Sequence, residues 1–269
     1  MDLSDRLELA VRSDTGRIRG RNEDSVYASE ALGLAILADG MGGYNAGDVA
    51  SGMAVAMLSE GFSAFLAGKR EADLDNHPAQ LIESLVSEAN IAILNAAQRQ
   101  PQYSGMGTTL VLAWFVDDRV YLAHLGDSRC YRWRDGVLRP MTRDHSLLQE
   151  QLDSGMIRPE EARHAEYRNL VTRALGVEPV IDVEIAEHAV LPGDVYLLCS
   201  DGLNDMLDDD EIAAVLVRHG EDLGLTAGGL IEAANERGGR DNVSVILVRA
   251  LLPFAAPRGW WQRLLAKLK

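Results

Sequence analysis

The sequence predicts an α+β chain in which two β-sheets pack together with a pair of helices on each outer face. Two observations carry this reading. Leu32–Ala38, Thr108–Val116, Val195–Cys199 and Val243–Val248 hold no charged residue, as strands covered on both faces do. The order along the chain is strands, two helices, strands, a polar excursion, strands, two helices and a final strand. That order suits a double sheet with one helix pair per side.

Taken in order, Leu7–Val11 alternates apolar and polar residues and reads as a strand. A Gly- and Arg-rich connection, Ser13–Arg21, leads through Asn22-Glu23-Asp24 into a strand at Ser25–Ala28 and then Leu32–Ala38. Asp48–Leu66 reads as a helix from Val49, Met53, Met57 and Phe65 near helical spacing. After the polar linker Gly68–His77, Pro78 starts a second helix with a stripe of Leu81, Leu85, Ala89, Ile93 and Ala97. Strands follow at Thr108–Val116 and Arg119–Leu125, joined by Asp117-Asp118, and at Arg129–Arg134 and Val137–Arg139, joined by Asp135-Gly136. Thr142–Val177 is polar and weakly periodic, an excursion of the size that often serves as a lid. Strands at Ile181–Ala186 and Val195–Cys199, helices at Asp208–Arg218 and Thr226–Arg237, and the strand Val243–Val248 complete the pattern.

The 269 residues, 47% of them hydrophobic, are enough for one large core in a single domain, or for two small domains. A formal charge of −15 argues against nucleic-acid binding and suits a site that gathers carboxylates around cations. Cys130 and Cys199 sit in apolar runs and read as buried thiols of a reducing compartment. The first residues lack the basic and apolar parts of a secretory signal, and no run of 18 apolar residues occurs. The expectation is a cytoplasmic protein.

Four apolar strands end in, or start from, an aspartate next to glycine or asparagine: Asp39, Asp127, Asp201 and Asp241. One Asp-Gly turn such as Asp39-Gly40 is commonplace. Four of them, with Glu23-Asp24, differ in kind, because strands of one core can bring their ends together. Carboxylates so gathered need a compensating charge. Hard oxygen ligands without His or Cys suit magnesium or manganese, and two such ions sharing a carboxylate activate water against a phosphoryl group. Arg19 or Arg21 could clamp phosphate oxygens. His77, His124, His164, His188 and His219 show no metal-ligand spacing, and Ser128, Ser146 and Ser200 lack a partner His/Asp arrangement. Arg168 and Arg173 read as solvated surface.

The ordered segments RGRNEDSVYA, LADGMGG, GMGTTLVLA, LGDSRCY, TRDHSLL, LLCSDGLND and GRDNVSVILV resemble the motifs of type 2C, metal-dependent protein serine/threonine phosphatases, bacterial branch, across Leu7 to Arg249. The resemblance implies a four-layer αββα sandwich of two antiparallel sheets with a flap at about 142–177, in one catalytic domain spanning 1–252. It implies two to three Mg2+ or Mn2+ ions. Asp39 would bridge two, with the Gly40 carbonyl and the Glu23/Asp24 pair completing one, Asp201 and Asp241 holding the other, and Asp127 helping to bind a third. Arg19 matches the arginine that grips the substrate phosphate, and a metal-bridged hydroxide would attack phosphorus in line. Many eukaryotic members carry a histidine as general acid where this chain has Met41; His145 is a tempting substitute, but a surface or capping role is the expectation. Phosphoserine and phosphothreonine proteins are the implied substrates and a eukaryotic-like kinase the implied counterpart. A dedicated phosphatase of one regulatory switch protein, or a silent binding module, are the alternatives; the second loses because every required acidic position is present. Residues 253–269, basic and with Trp260 and Trp261, are expected to contact a membrane surface or a partner protein.

Overall fold

The computed structural model describes residues 2–43, 46–68, 78–158, 161 and 170–255. In chain order these form β1 (Leu7–Asp14), β2 (Asp24–Ser29), β3 (Leu34–Met41), α1 (Gly47–Gly68), α2 (Pro78–Arg99), β4 (Gly107–Thr108), β5 (Leu110–Val116) and β6 (Arg119–Leu125). They continue as β7 (Arg129–Arg134), β8 (Val137–Pro140), α3 (Leu147–Asp153), β9 (Glu184–Ala189), β10 (Val195–Cys199), the single turn α4 (Asp201–Asn204), α5 (Asp209–His219), α6 (Leu223–Glu236) and β11 (Val243–Ala250).

One sheet runs β1-β11-β10-β7-β8 and the other β2-β3-β5-β6-β9, with β4 on β3, every pair antiparallel. Side chains alternate across a strand, so each central strand serves two cores. Leu34, Ile36 and Ala38 of β3 pack with Ala50, Ala54, Leu58 and Phe62 of α1 and with Ile82, Val86 and Ile93 of α2. Ala35 and Leu37 turn the other way and meet Ile246, Val248, Tyr196 and Leu198 of the opposite sheet. Leu197, Val245 and Leu247 face Ile212, Val215, Leu216 and Leu230 of α5 and α6. The layers are therefore αββα, and two-sided burial is why the central strands carry no charge.

By length and mean hydropathy α1 could cross a membrane, yet its apolar side chains are spent on the sheet. Asp117, Asp118, Asp135 and Gly136 all have positive φ, the conformation tight hairpins require. Asp208 caps α5, accepting from the Glu211 amide while Glu211 bonds back to the Asp208 amide.

Several boundaries differ from the sequence expectation. The strand expected from Thr108 is broken at Thr109, which turns to bond Asp39 and divides β4 from β5. The strand expected at Ile181–Ala186 lies at Glu184–Ala189, where it pairs with β6 as a sheet edge. Asp201-Gly202 is the start of α4 rather than a plain turn. Phe254 is buried against the inter-sheet core and its amide donates to Asp118 Oδ1, so the packed body runs past residue 252. The linker at 69–77 and the tail from 256 onward lie outside the described residues.

Candidate active site

Antiparallel pairing alternates strand directions, so the C-terminal end of one strand lies beside the N-terminal start of its neighbour. Asp24 at the start of β2 is the direct partner of Asp39 near the end of β3. Cys199, closing β10, faces Val245 of β11, which puts Asp201 beside Asp241. Leu125, closing β6, faces Leu110 of β5, which puts Asp127 beside Thr109. The two sheets present these ends along one edge, at a cleft of about 340 Å³.

That cleft is lined by Arg19, Glu23, Asp39, Gly40, Met41, Gly42, Thr109, Asp127, Leu170, Val171, Asp201, Asp241 and Asn242. Seven of the eight residues singled out from the sequence are on this wall. The eighth, Asp24, is paired with Asp39 and accepts from Ser200 Oγ at 2.8 Å. Arg21 turns away to Asp48 at 3.1 Å, leaving Arg19 as the guanidinium at the cleft.

The backbone of Asp39 is held by β4 and Thr109. The Asp39 amide donates to Thr109 Oγ1 (3.0 Å), and the Asp39 carbonyl accepts from Thr109 N (2.9 Å) and Thr108 Oγ1 (2.8 Å). Thr109 Oγ1 is in turn 2.7 Å from Ser128 Oγ. Gly40 is obligatory, since a Cβ there would lie 2.1 Å from the Gly47 carbonyl and 2.7 Å from that of Glu23. Asn242 clamps the arginine loop: its Nδ2 donates to the carbonyls of Thr15 (2.9 Å) and Arg21 (2.8 Å), and its Oδ1 accepts from the Glu23 amide (2.8 Å). Asn242→Ala is expected to lower stability by about 2–3 kcal/mol and activity by about tenfold, because three backbone groups lose their partner. Chemical denaturation and steady-state assays check this.

The electrostatics call for a cation. Five carboxylates face the cleft, and the one guanidinium among its lining residues, Arg19, is already bound to Asp241 at 2.6 Å. Burial raises Asp39 and Asp201 well above the ordinary carboxylate range, and neighbouring aspartates push them further. Burial raises Asp24 to about 6 and Asp127 to about 7. Glu23 is raised by burial and then by Asp48. Oδ1 of Asp24 and of Asp201 is buried with no hydrogen-bond partner among the described residues. Buried oxygens left unpaired amid like charge fit a divalent ion, and an all-oxygen lining fits magnesium or manganese.

Sequence reasoning assigned no supporting role to Thr109, Ser51, Ser200 or Asn242. Thr109 and Asn242 bond the backbone at Asp39 and Glu23, Ser51 Oγ donates to the Glu23 carbonyl (2.6 Å), and Ser200 Oγ donates to the Asp24 carboxylate. It also treated the histidines as scattered, whereas His124 and His145 stack at 4.6 Å and share a corner with Glu184. His145 is buried, not a surface residue, and lies outside the cleft lining. Its Nδ1 accepts from the Gly126 amide (3.3 Å), leaving Nε2 as the protonated nitrogen 3.5 Å from Glu184. Burial, then His124 and Arg173, hold its pKa below the usual value. A nitrogen committed in this way is a hydrogen-bonding group that ties residue 145 to the neighbour of Asp127, not a metal ligand. Ser128, Ser146 and Ser200 are engaged with Thr109, the α3 amide of Gln149 and Asp24, so none is a free nucleophile. Arg173 makes a surface pair with Asp182; Arg168, His77 and His164 lie outside the described residues.

Comparison with known proteins agrees. The family model described as Protein phosphatase 2C matches residues 19–226. The serine/threonine phosphatase stp of Listeria innocua is 38% identical over 245 residues, covering 90% of this chain and 95% of that one. The serine/threonine protein phosphatase PstP of Mycobacterium tuberculosis is 42% identical over 247 residues, covering 90% of this chain and 44% of that longer one. A crystal structure of the PstP catalytic domain in complex with two manganese ions superposes with a TM-score of 0.79 at 38% identity, covering 92% of this chain and 99% of that one. This chain belongs to the protein phosphatase 2C family and is a metal-dependent protein serine/threonine phosphatase.

Proposed function

We propose that Asp39 bridges two divalent ions, with the Gly40 carbonyl and the Glu23/Asp24 pair completing one and Asp201 and Asp241 the other, and that Asp127 helps to hold a third. The observation that carries this is the gathering of five carboxylates in one cleft with a single guanidinium to balance them. Bound there, magnesium or manganese supplies the missing positive charge and acidifies water for attack at phosphorus. The chain's own residues do the rest. Thr108 and Thr109 fix the Asp39 backbone from two sides, so its carboxylate stays in place through the reaction. Arg19 reaches the cleft from a loop clamped by Asn242, and exchanging Asp241 for phosphate oxygens lets it orient the ester. Met41 donates no proton, so the leaving group takes its proton from solvent or another polar group of the cleft.

The substrates are phosphoserine and phosphothreonine proteins, and the enzyme opposes a eukaryotic-like serine/threonine kinase in the cytoplasm. The buried, unpaired Cys130 and Cys199 support a reducing compartment. Phosphate release from phosphothreonine and phosphotyrosine peptides, with and without Mn2+, tests the function. Hydrolysis of the first alone, abolished by EDTA, is expected. In the same assay Arg19→Ala is expected to raise KM about tenfold or more; an unchanged KM removes Arg19 from phosphate binding. Deleting Pro257–Lys269 and measuring vesicle and partner association tests the proposed role of the tail; undiminished association assigns that contact elsewhere.

A further inference from the structure

We infer that Asn90 is a positioning residue for protein substrates: from α2 it fixes the strip of chain that forms the apolar wall of the cleft. The inference rests on reading the cleft as the phosphate site.

Asn90 is a polar side chain on an otherwise apolar face, 1% exposed, on the same buried side of α2 as Ile82, Val86, Ala89 and Ile93. An amide in such a place costs stability unless both its ends are bonded. They are, and both bonds go to one short stretch. Nδ2 donates to the Glu178 carbonyl at 2.8 Å, and Oδ1 accepts from the Gly176 amide at 2.7 Å. Gly176 has φ +83° and lies so close to α2 that a Cβ would sit 2.3 Å from Ile93 Cγ2. One residue earlier, Leu175 exchanges two backbone bonds with Thr108 (3.1 and 2.9 Å), whose hydroxyl holds the Asp39 carbonyl.

Leu170 and Val171, a few residues upstream in the same strip, line the cleft. They are held from the other side: the Leu147 amide donates to the Leu170 carbonyl (2.9 Å), and the Thr172 amide to that of His145 (2.8 Å). The wall is thus pinned at its start by the chain around α3 and, past the Leu175–Thr108 bonds, at its end by Asn90. Leu170 is 53% exposed and so offers apolar surface at the mouth of a cleft otherwise rich in carboxylates. Residues flanking a phosphoserine reach that surface; a small aryl phosphate does not. Loss of the Asn90 bonds leaves the Leu175–Thr108 pair and the Thr108–Asp39 bond in place, so it acts on peptide binding and not on the Asp39 backbone.

The test compares Asn90→Leu, near-isosteric but unable to bond, with wild type on a phosphothreonine peptide and on p-nitrophenyl phosphate, both with Mn2+. Asn90→Ser serves if the leucine variant does not fold. Ile82→Val, a change in the same apolar face with no bond to the strip, controls for general loosening. The expected result is a peptide KM raised about tenfold, with kcat and the aryl phosphate constants within about twofold, and no KM change in Ile82→Val. An unchanged peptide KM, or equal losses on both substrates, overturns the inference. Wild type inactive on both substrates would instead overturn the reading of the cleft.

Discussion

Asp39→Asn is expected to reduce metal-dependent phosphoester hydrolysis by on the order of a thousandfold, about 4 kcal/mol of transition-state stabilisation, while the fold persists. The persistence follows from how Asp39 is held. Its backbone amide and carbonyl make the bonds to Thr108 and Thr109, and asparagine leaves all of them in place. What changes is the charge at the centre of the cluster, where Asp24, Asp127, Asp201 and Asp241 converge on the same position. An amide in place of the carboxylate offers a weaker oxygen to a hard cation and removes one unit of the charge that attracts it. Without bound metal the variant should melt higher than wild type at pH 7.5, because one buried repulsion is gone. Circular dichroism, calorimetry and phosphate release measure the three quantities. A variant with full activity refutes the bridging role, and one that melts lower than wild type without metal refutes the electrostatic argument.

Withdrawal of metal is expected to make stability fall steeply between about pH 4 and pH 7. Burial raises the folded-state pKa of Asp24 from 3.8 to about 6 and that of Asp127 to about 7, and raises Asp39 and Asp201 as well. A carboxyl group with a folded pKa above its unfolded one favours the native state while protonated. The contribution is fully present below the unfolded value and is lost as pH rises through the folded value. The metal-free protein should therefore melt on the order of 10 °C lower at pH 7.5 than at pH 4.5. Saturating Mn2+ should recover that loss at pH 7.5, since a ligand that binds only the native state stabilises it by mass action. Scanning calorimetry with and without EDTA reads both effects. Equal melting at the two pH values in EDTA would mean that the carboxylates do not share one buried cluster.

The layered architecture was legible because two-sided burial writes itself into the chain as uncharged runs, and helix pairs as stripes near four-residue spacing. The strand ends were legible too, since an aspartate at the margin of an apolar run is locally conspicuous. Edges were less so. β9 pairs along one side only, so its pattern is weak and its bounds came out displaced by three residues.

The sequence by itself singled out the residues proposed to carry the chemistry: Asp39, Asp127, Asp201, Asp241, Glu23, Asp24, Gly40 and Arg19 are conspicuous in the chain, and their order resembles that of a known family. Tertiary structure alone decided what holds them. Thr109, Asn242 and Ser200 sit in the recurring motifs without an evident task of their own, and each becomes a support only because the fold carries it next to a residue far away in sequence. The same holds for the His124–His145 stack, the division between Arg19 at the cleft and Arg21 on Asp48, and the bonds from Asn90 to residues 176 and 178. The physical reason is one of range. Burial and charge act on each residue singly and leave a local trace, whereas a hydrogen bond between distant backbones depends on register, which no single stretch of sequence contains.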